Sequence, residues 1–194
     1  MAALELPPNF GRKRLHVVRS SGPWQRLHCE KYSTLHFGKG RENRFDDPRS
    51  EYGVLYVAED EFGAFVETFL RDPKLTLVAR DELVQRRLSQ IEGSAGLSLV
   101  DLTGKGLQRV GVTGEVSTAP HEQTWALSRA IHEHPSRPDG IRYRLKHDLE
   151  RIGIAIFDRV EVARLWVTSR GSLADPSNAT LLGKILLEYD KDYI

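Results

Sequence analysis

One acidic side chain on a predicted helix has the surroundings that a catalytic carboxylate needs. Apolar residues recur at helical spacing after segment 53–58, and Glu67 falls well off the centre of that apolar face. A long helical side chain leans back over positions i−3 and i−4, which here are Ala64 and Gly63 and carry almost no side chain. The space above the carboxylate would admit a sugar, and a carboxylate facing an oxocarbenium-like centre lowers the barrier to cleaving an N-glycosidic bond.

An arginine and a tyrosine earlier in the chain suit a ligand of the same kind. Arg44 lies in a long polar loop and offers a planar fork of five donors for a pyrophosphate or a ribose. Tyr56 lies in a predicted strand, where it can stack on an aromatic ring or hydrogen-bond near it. Taken singly, each of the three residues has an ordinary explanation, namely a solvated arginine, a core tyrosine and a surface glutamate.

Several common site motifs are incomplete or missing in the sequence. Gly38-Lys39-Gly40 lacks the third glycine and the preceding strand of a dinucleotide fold, and there is no P-loop and no Gly-x-Ser-x-Gly elbow. His132 and His134 point in different directions on a helix, so we predict no metal site. Cys29 is the only cysteine and cannot form an internal disulfide.

Length, composition and charge indicate a soluble protein of one domain. The chain has 194 residues, a hydrophobic content of 40% and a net charge of +1, without the run of roughly 18 to 20 apolar residues that crosses a membrane. Its first eight residues contain an acid and two prolines, which argues against a secretion signal. We therefore expect a cytoplasmic protein that binds neither a membrane nor nucleic acid directly.

Local patterns predict the elements that must position the three candidate residues. Segment 24–48 is predicted to be a loop with one extended piece at 34–37, and Asp60 is predicted to cap the helix that carries Glu67. The order of elements favours an α+β fold with mixed or antiparallel sheets and flanking helices. The other predicted elements are strands at 15–19, 53–58, 75–79, 97–101, 141–143, 152–157 and 162–167, helices at 81–91 and 121–134, and a helix or strand at 180–189.

Segments that contain the candidate residues resemble the pattern of the RES domain family. Arg44-Phe45-x-x-Pro48 is followed by Tyr-Gly-Val-Leu-Tyr-Val-Ala-Glu at 52–59 and by Gly63-Ala64-x-x-Glu67. Asp139-Gly140-Ile141-x-Tyr143 and the strand at 154–158 extend the likeness, which runs from about residue 15 to about residue 166. We accordingly divide the chain into an N-terminal extension, 1–14, and a RES-like domain, 15–194.

The resemblance implies a fold, a substrate and a set of site residues. Family members resemble the ADP-ribosyltransferase fold and cleave the bond between nicotinamide and ribose in NAD, which is their substrate and not a bound cofactor. By matching position, Arg44, Tyr56 and Glu67 correspond to the family's catalytic arginine, tyrosine and glutamate. Tyr52 is a weaker candidate for the tyrosine, and Tyr143 is expected to line the NAD site.

The sequence departs from the family pattern at two places. The family shows a serine in a Tyr-x-Ser-Arg-His-like segment, whereas this chain has Leu145 at that position after Tyr143. Leucine neither donates nor accepts a hydrogen bond, so either the site is weakened or another group, such as His147 or a water, takes over. The segment around Arg44 reads Asn-Arg-Phe-Asp, where the family more often shows Gly-Arg-Trp-Asn.

Three functions are compatible with the resemblance. The first is a toxin-like NAD glycohydrolase or phosphorylase, and the second is a mono-ADP-ribosyltransferase that passes the same intermediate to a protein. The third is a RES-like binding module without activity, for which Leu145 is the main argument. Many family members are toxins held in check by an Xre-type antitoxin protein, so the resemblance implies such a partner, and it leaves a homo-oligomer open.

Overall fold

The computed structural model describes residues 6–194; residues 1–5, the first part of the predicted N-terminal extension, lie outside the described residues. Within residues 6–194 the chain forms ten strands and five α-helices. The strands are β1 Val17–Ser20, β2 Trp24–Cys29, β3 Val54–Ala58, β4 Leu77–Val78, β5 Arg86–Gly93, β6 Leu97–Asp101, β7 Gly140–Arg144, β8 Ile152–Phe157, β9 Leu165–Ser169 and β10 Asp192–Tyr193. The helices are α1 Glu61–Phe69, α2 Arg80–Val84, α3 Lys105–Val110, α4 His121–His132 and α5 Ala179–Glu188.

Eight of the strands in the described part of the chain form one mixed sheet in the order β1-β6-β7-β8-β3-β2-β5-β9. The neighbouring strands are antiparallel except for β6 and β7, which are parallel. The short strands β4 and β10 pair separately and in parallel. The α+β class with an antiparallel-rich sheet and flanking helices, which the order of elements predicts, is confirmed.

The side chains of the central strand β3 alternate between two regions of the core. Leu55 and Val57 lie in a cluster that also contains Ile91 of β5 and Leu97 of β6, although these two strands are far apart in the sheet order. The sheet therefore curls around this cluster. Tyr56 and its neighbours on the other face pack beneath the helices, and it is on this face that α1 and α4 lie.

Segment 53–69 follows the sequence prediction closely. The strand is β3, and the Oδ1 of Asp60 accepts a hydrogen bond of 2.7 Å from the backbone N–H of Gly63, which caps α1. Residues 6–14 also pack on the domain, because Phe10 is buried in the same cluster as Val116 and Ile131.

Two predicted elements are wrong. Segment 24–48 is not one long loop, because its first six residues form β2, and segment 81–91 is not one helix, because α2 ends at Val84 and β5 follows. These two errors have one cause, since β2 and β5 pair with each other over six consecutive residues, from Trp24 with Ile91 to Cys29 with Arg86. That long-range pairing overrides local preferences that contain no clear strand period.

Two glycines offer a matched test of how tightly the sheet is packed. A Cβ on Gly140 of β7 would overlap the carbonyl oxygen of Ala155 on β8, whereas a Cβ on Gly183 of α5 would meet nothing within 4 Å. We expect Gly140→Ala to lower the free energy of unfolding by about 3 kcal/mol because the two strands must move apart. Gly183→Ala should raise it by about 0.5 to 1 kcal/mol because alanine favours a helix. Denaturant titration of both variants would show the opposite signs, and equal effects would contradict this packing.

Candidate functional site

A cavity of about 380 Å³ opens beside α1, between the strands β2 and β3, the loop before β3 and the start of α4. Four cationic side chains and one carboxylate, Glu67, contribute to its wall. The cations are Arg26, Arg44, Arg71 and Lys146. Within residues 6–194 none of the four is in salt-bridge contact with an acidic side chain. The cavity therefore presents an unbalanced positive charge that suits an anionic ligand.

Glu67 is the acidic group of the cavity, and one of its oxygens is unsatisfied. Its Oε1 is buried and has no hydrogen-bond partner among the described residues. Burial raises the pKa of this carboxyl, and the charges of Arg71, Arg44 and Lys146, together with the backbone N–H of Lys146, oppose that shift without cancelling it. A buried acceptor without a partner is costly in a folded protein and marks a place where a ligand can donate a hydrogen bond.

The two small residues before Glu67 have different neighbours. Ala64 lines the cavity, as the sequence predicts. Gly63 faces Leu145, whose Cδ1 would lie 3.0 Å from a Cβ at position 63. The open space above Glu67 is therefore narrower than the sequence indicates, because Leu145 fills the part next to Gly63.

Arg44 is a buried arginine that is held by backbone oxygens. Its side chain is 6% exposed, and its Nη1 donates to the carbonyl oxygens of Val116, at 3.2 Å, and Ala119, at 2.7 Å. Burial lowers the pKa of the guanidinium, although the nearby groups Tyr143 and Glu67 act in the opposite direction. The segment that precedes α4 thus fixes one side of the guanidinium, and the side chain also contributes to the cavity wall.

Helix α4 holds the loop of Arg44 through four successive carbonyl groups. The side chains of His121, Thr124, Trp125 and Ser128 donate hydrogen bonds to the backbone oxygens of this loop. His121 Nδ1 lies 2.8 Å from the carbonyl oxygen of residue 42, and Trp125 Nε1 lies 2.9 Å from the carbonyl oxygen of residue 43. Thr124 donates to the carbonyl oxygen of residue 44, and Ser128 Oγ lies 2.6 Å from the carbonyl oxygen of residue 45. The loop is therefore positioned by one face of one helix.

Tyr56 and Asp46 hold the same loop from the side of the sheet. The hydroxyl of Tyr56 donates to Asp46 Oδ1 at 2.8 Å and accepts from the backbone N–H of Phe45 at 2.9 Å. The other oxygen of Asp46 accepts from the backbone N–H groups of Glu42 and Asn43. Burial and the charge of Asp46 raise the pKa of Tyr56 well above its ordinary value. Tyr56 contributes to the cavity wall, but its hydroxyl is already engaged.

Of the remaining candidate residues, some line the cavity and one does not. Tyr143 and Leu145 line the cavity, and the ring of Tyr143 packs edge to face on Phe45 with 4.7 Å between centroids. Tyr52 does not line it. Because Ser128 donates its proton to the loop, the hydroxyl of Tyr52 donates to Ser128 Oγ at 3.0 Å, and its ring stacks on His132. Arg44, Tyr56, Tyr143, Leu145 and Glu67 thus share one cavity, while Tyr52 supports the helix behind it.

Some residues of the cavity have no clear signal in the sequence. Arg71 follows Glu67 by four residues, a spacing that could have drawn attention to it. Arg26 lies on β2, where the sequence pattern predicts a loop, and His121 begins a helix more than 50 residues further along the chain than Glu67. Only the tertiary fold brings these side chains together.

Residues 6–194 contain no group of three or more His, Cys, Asp or Glu side chains arranged to hold a metal ion. Among the helices of that part of the chain, none combines the length and the apolar character needed to cross a bilayer.

The fold and the cavity together define a small α+β domain with one cationic pocket and a single carboxylate in it. The family model of the RES domain matches residues 23–174, which is most of the chain, and this protein belongs to the RES domain family. Among solved structures, the chain is similar to one in the "Crystal structure of the M.tuberculosis MbcT-MbcA toxin-antitoxin complex", with a TM-score of 0.64 and 17% identity over 84% of this chain and 92% of that chain. A comparison with curated proteins gave no match.

Proposed function

We propose that this protein is an NAD-degrading enzyme of the toxin type, which cleaves the bond between nicotinamide and ribose. The observation that carries the proposal is the buried Oε1 of Glu67, which has no hydrogen-bond partner within residues 6–194, in a cavity whose other charged groups are all cationic. Membership of the RES domain family agrees with it, because Glu67 corresponds by resemblance to the family's catalytic glutamate. The cavity volume is within the range of small-molecule sites and suits part of a dinucleotide.

Different residues of the cavity have different roles in such a reaction. NAD carries a negatively charged pyrophosphate, which the cations attract, and a ribose whose hydroxyls can donate to the free oxygen of Glu67. As the C1′–N1 bond breaks, its electron pair goes to the nicotinamide nitrogen and positive charge develops on the ribose. The ionised carboxylate of Glu67 stabilises that charge, and because its Oε1 is buried the electrostatic interaction is stronger than in water.

The fixed position of Arg44 supports this role. A guanidinium that is held by two carbonyl oxygens and a loop that is held at four successive residues need little reorganisation when a substrate binds. The aromatic side of the cavity, formed by Tyr56 and Tyr143, offers ring surfaces for the nicotinamide.

The first experiment is incubation of purified protein with NAD while free nicotinamide is measured by chromatography. Release of nicotinamide without any protein acceptor supports the glycohydrolase, and a further dependence of the rate on added phosphate supports a phosphorylase. Release that needs a protein, with label transferred to it, supports the mono-ADP-ribosyltransferase. Binding of NAD without turnover would overturn the enzyme and leave the binding module.

Variants at Leu145 distinguish the enzyme from the binding module. It is 1% exposed and packs between Gly63 and Gly153, where an added Cβ on either glycine would meet its methyl groups. We expect Leu145→Ser and Leu145→Ala to lower the free energy of unfolding by about 3 kcal/mol each, because both leave the same hole. If the native cavity is active, the two variants have equal rates of nicotinamide release. A rate that rises only in Leu145→Ser would show that the native site lacks a needed hydroxyl.

We also propose an antitoxin protein as the partner of this chain. The similar structure is described as a toxin–antitoxin complex, and the family resemblance implies a partner of the Xre type. Co-purification of the tagged protein with the product of a neighbouring open reading frame, together with relief of growth arrest, would test this. If the protein is harmless when expressed alone, this result would count against a toxin-type function.

A further inference from the structure

His121, the first residue of α4, has a ring whose tautomer is set by the fold. Its Nδ1 lies 2.8 Å from the carbonyl oxygen of Glu42. A carbonyl oxygen can only accept, so Nδ1 must carry a hydrogen, and in the neutral ring the lone pair is then on Nε2. Nε2 has no hydrogen-bond partner among residues 6–194, and the side chain is part of the cavity wall.

Burial, aided by two nearby cations, keeps the ring of His121 neutral. Burial lowers its pKa, and the nearby cations Arg44 and Lys146 lower it further. The carbonyl of Glu42 and the carboxylate of Glu122 act in the opposite direction and are outweighed. His121 therefore presents an unprotonated nitrogen to the cavity at neutral pH.

The other groups of the cavity are poorly suited to accept a proton. The hydroxyl of Tyr56 already donates to Asp46, and burial keeps Tyr143 protonated by raising its pKa. In the proposed reaction Glu67 stabilises the positive charge on the ribose. His147 also has a lowered pKa, but its ring has no hydrogen-bond partner within residues 6–194 that would fix its tautomer.

We propose that His121 is the general base that activates the acceptor water during cleavage of NAD, an inference that rests on the proposed function. The oxygen of the water forms the new bond to C1′ of the ribose as the C1′–N1 bond breaks. The electron pair of the broken bond leaves with neutral nicotinamide, and a proton of the water passes to Nε2 of His121. The ring then returns this proton to the solvent, so that NAD and water give nicotinamide, ADP-ribose and a proton.

The test separates a basic role of Nε2 from a positioning role of Nδ1. In His121→Asn the side-chain amide lies close to the place of Nδ1 and can still donate to the oxygen of Glu42, but nothing replaces Nε2. His121→Gln places a non-basic amide near Nε2 and is the second variant in case the first fails to fold. His36→Asn is the matched control, because the ring of His36 stacks on Tyr32 and does not line the cavity.

We expect kcat for nicotinamide release to fall about 100-fold or more in both His121 variants while KM changes little. The solvent deuterium isotope effect on kcat in the native protein should be lost in both, and His36→Asn should match the native protein. Full activity of His121→Asn would overturn the general base and leave the proposed function intact. If the native protein releases no nicotinamide from NAD, the proposed function fails, and the role of His121 fails with it.

Discussion

Replacing Glu67 by glutamine is expected to lower the rate of nicotinamide release about 1000-fold and to make the protein more stable. Glutamine keeps the shape of the side chain but cannot offset positive charge on the ribose. The same change removes a charge whose Oε1 is buried without a partner in the described part of the chain. The free energy of unfolding should therefore rise by about 1 kcal/mol. For a domain of this size, that gain corresponds to an increase of about 3 °C in the melting temperature.

The pH dependence follows from the raised pKa of Glu67. The reaction needs the ionised carboxylate, so the rate should rise with pH around a pKa above that of an exposed glutamate. Because the folded protein binds this proton more tightly than the unfolded chain, its stability falls as pH rises from the unfolded pKa to the folded one. The stability gain of Glu67→Gln should thus be full at neutral pH and should disappear below about pH 4.

The control for Glu67 is Glu82→Gln, which changes an exposed glutamate on α2 away from the cavity. We expect native activity and native stability for this variant. Loss of activity in Glu67→Gln together with a lower melting temperature would contradict the account, because it would mean that the carboxylate stabilises the fold.

Arg44→Lys is expected to lower nicotinamide release about 100-fold although the positive charge is kept. In Arg44 the Nη1 alone donates to the carbonyl oxygens of Val116 and Ala119. A lysine has a single nitrogen, so it cannot hold both oxygens and also offer a donor to the cavity. Loss of these contacts leaves buried oxygens without a partner, which costs about 1 to 3 kcal/mol. Steady-state kinetics and thermal unfolding would measure the two effects in the same samples.

Arg41→Lys is the matched control for Arg44→Lys, because Arg41 lies in the same loop and is exposed to solvent. It should behave like the native protein. If Arg44→Lys also has native activity, only the charge of Arg44 is needed, and the positioning of its guanidinium by the segment before α4 has no part in the reaction.

The sequence predicts best those parts of the fold in which neighbours along the chain interact. Strand β3, the Asp60 cap and helix α1 are examples, because apolar spacing and a local hydrogen bond determine them. Strand β2 could not be found in this way. Its burial pattern does not alternate, and its partner β5 is about 60 residues away in the sequence.

The candidate site, too, could be predicted from the sequence only in part. Arg44, Tyr56 and Glu67 match a family pattern, and they line one cavity. Tyr52 has a similar place in that pattern, but a hydrogen bond to Ser128 and stacking on His132 hold it behind the loop. Which tyrosine reaches a cavity depends on side-chain directions that a linear pattern does not contain.

The role of α4 in this site also comes from the tertiary structure. In the sequence, His121, Thr124, Trp125 and Ser128 lie on one face of a helix, with spacings that are equally typical of a helix packed on a core. In the fold these side chains contact four successive carbonyl groups of the loop that contains Arg44. These contacts hold the loop as one wall of the cavity.

The most direct test of the central claim is a crystal structure of Glu67→Gln soaked with NAD, because the slow variant should retain intact substrate. We expect electron density for NAD in the cavity. A hydroxyl of the nicotinamide ribose should lie within hydrogen-bond distance of the side chain at position 67, and the pyrophosphate should lie beside the cations, Arg44 among them. Density for NAD at another place on the protein, with this cavity filled only by solvent, would contradict this claim.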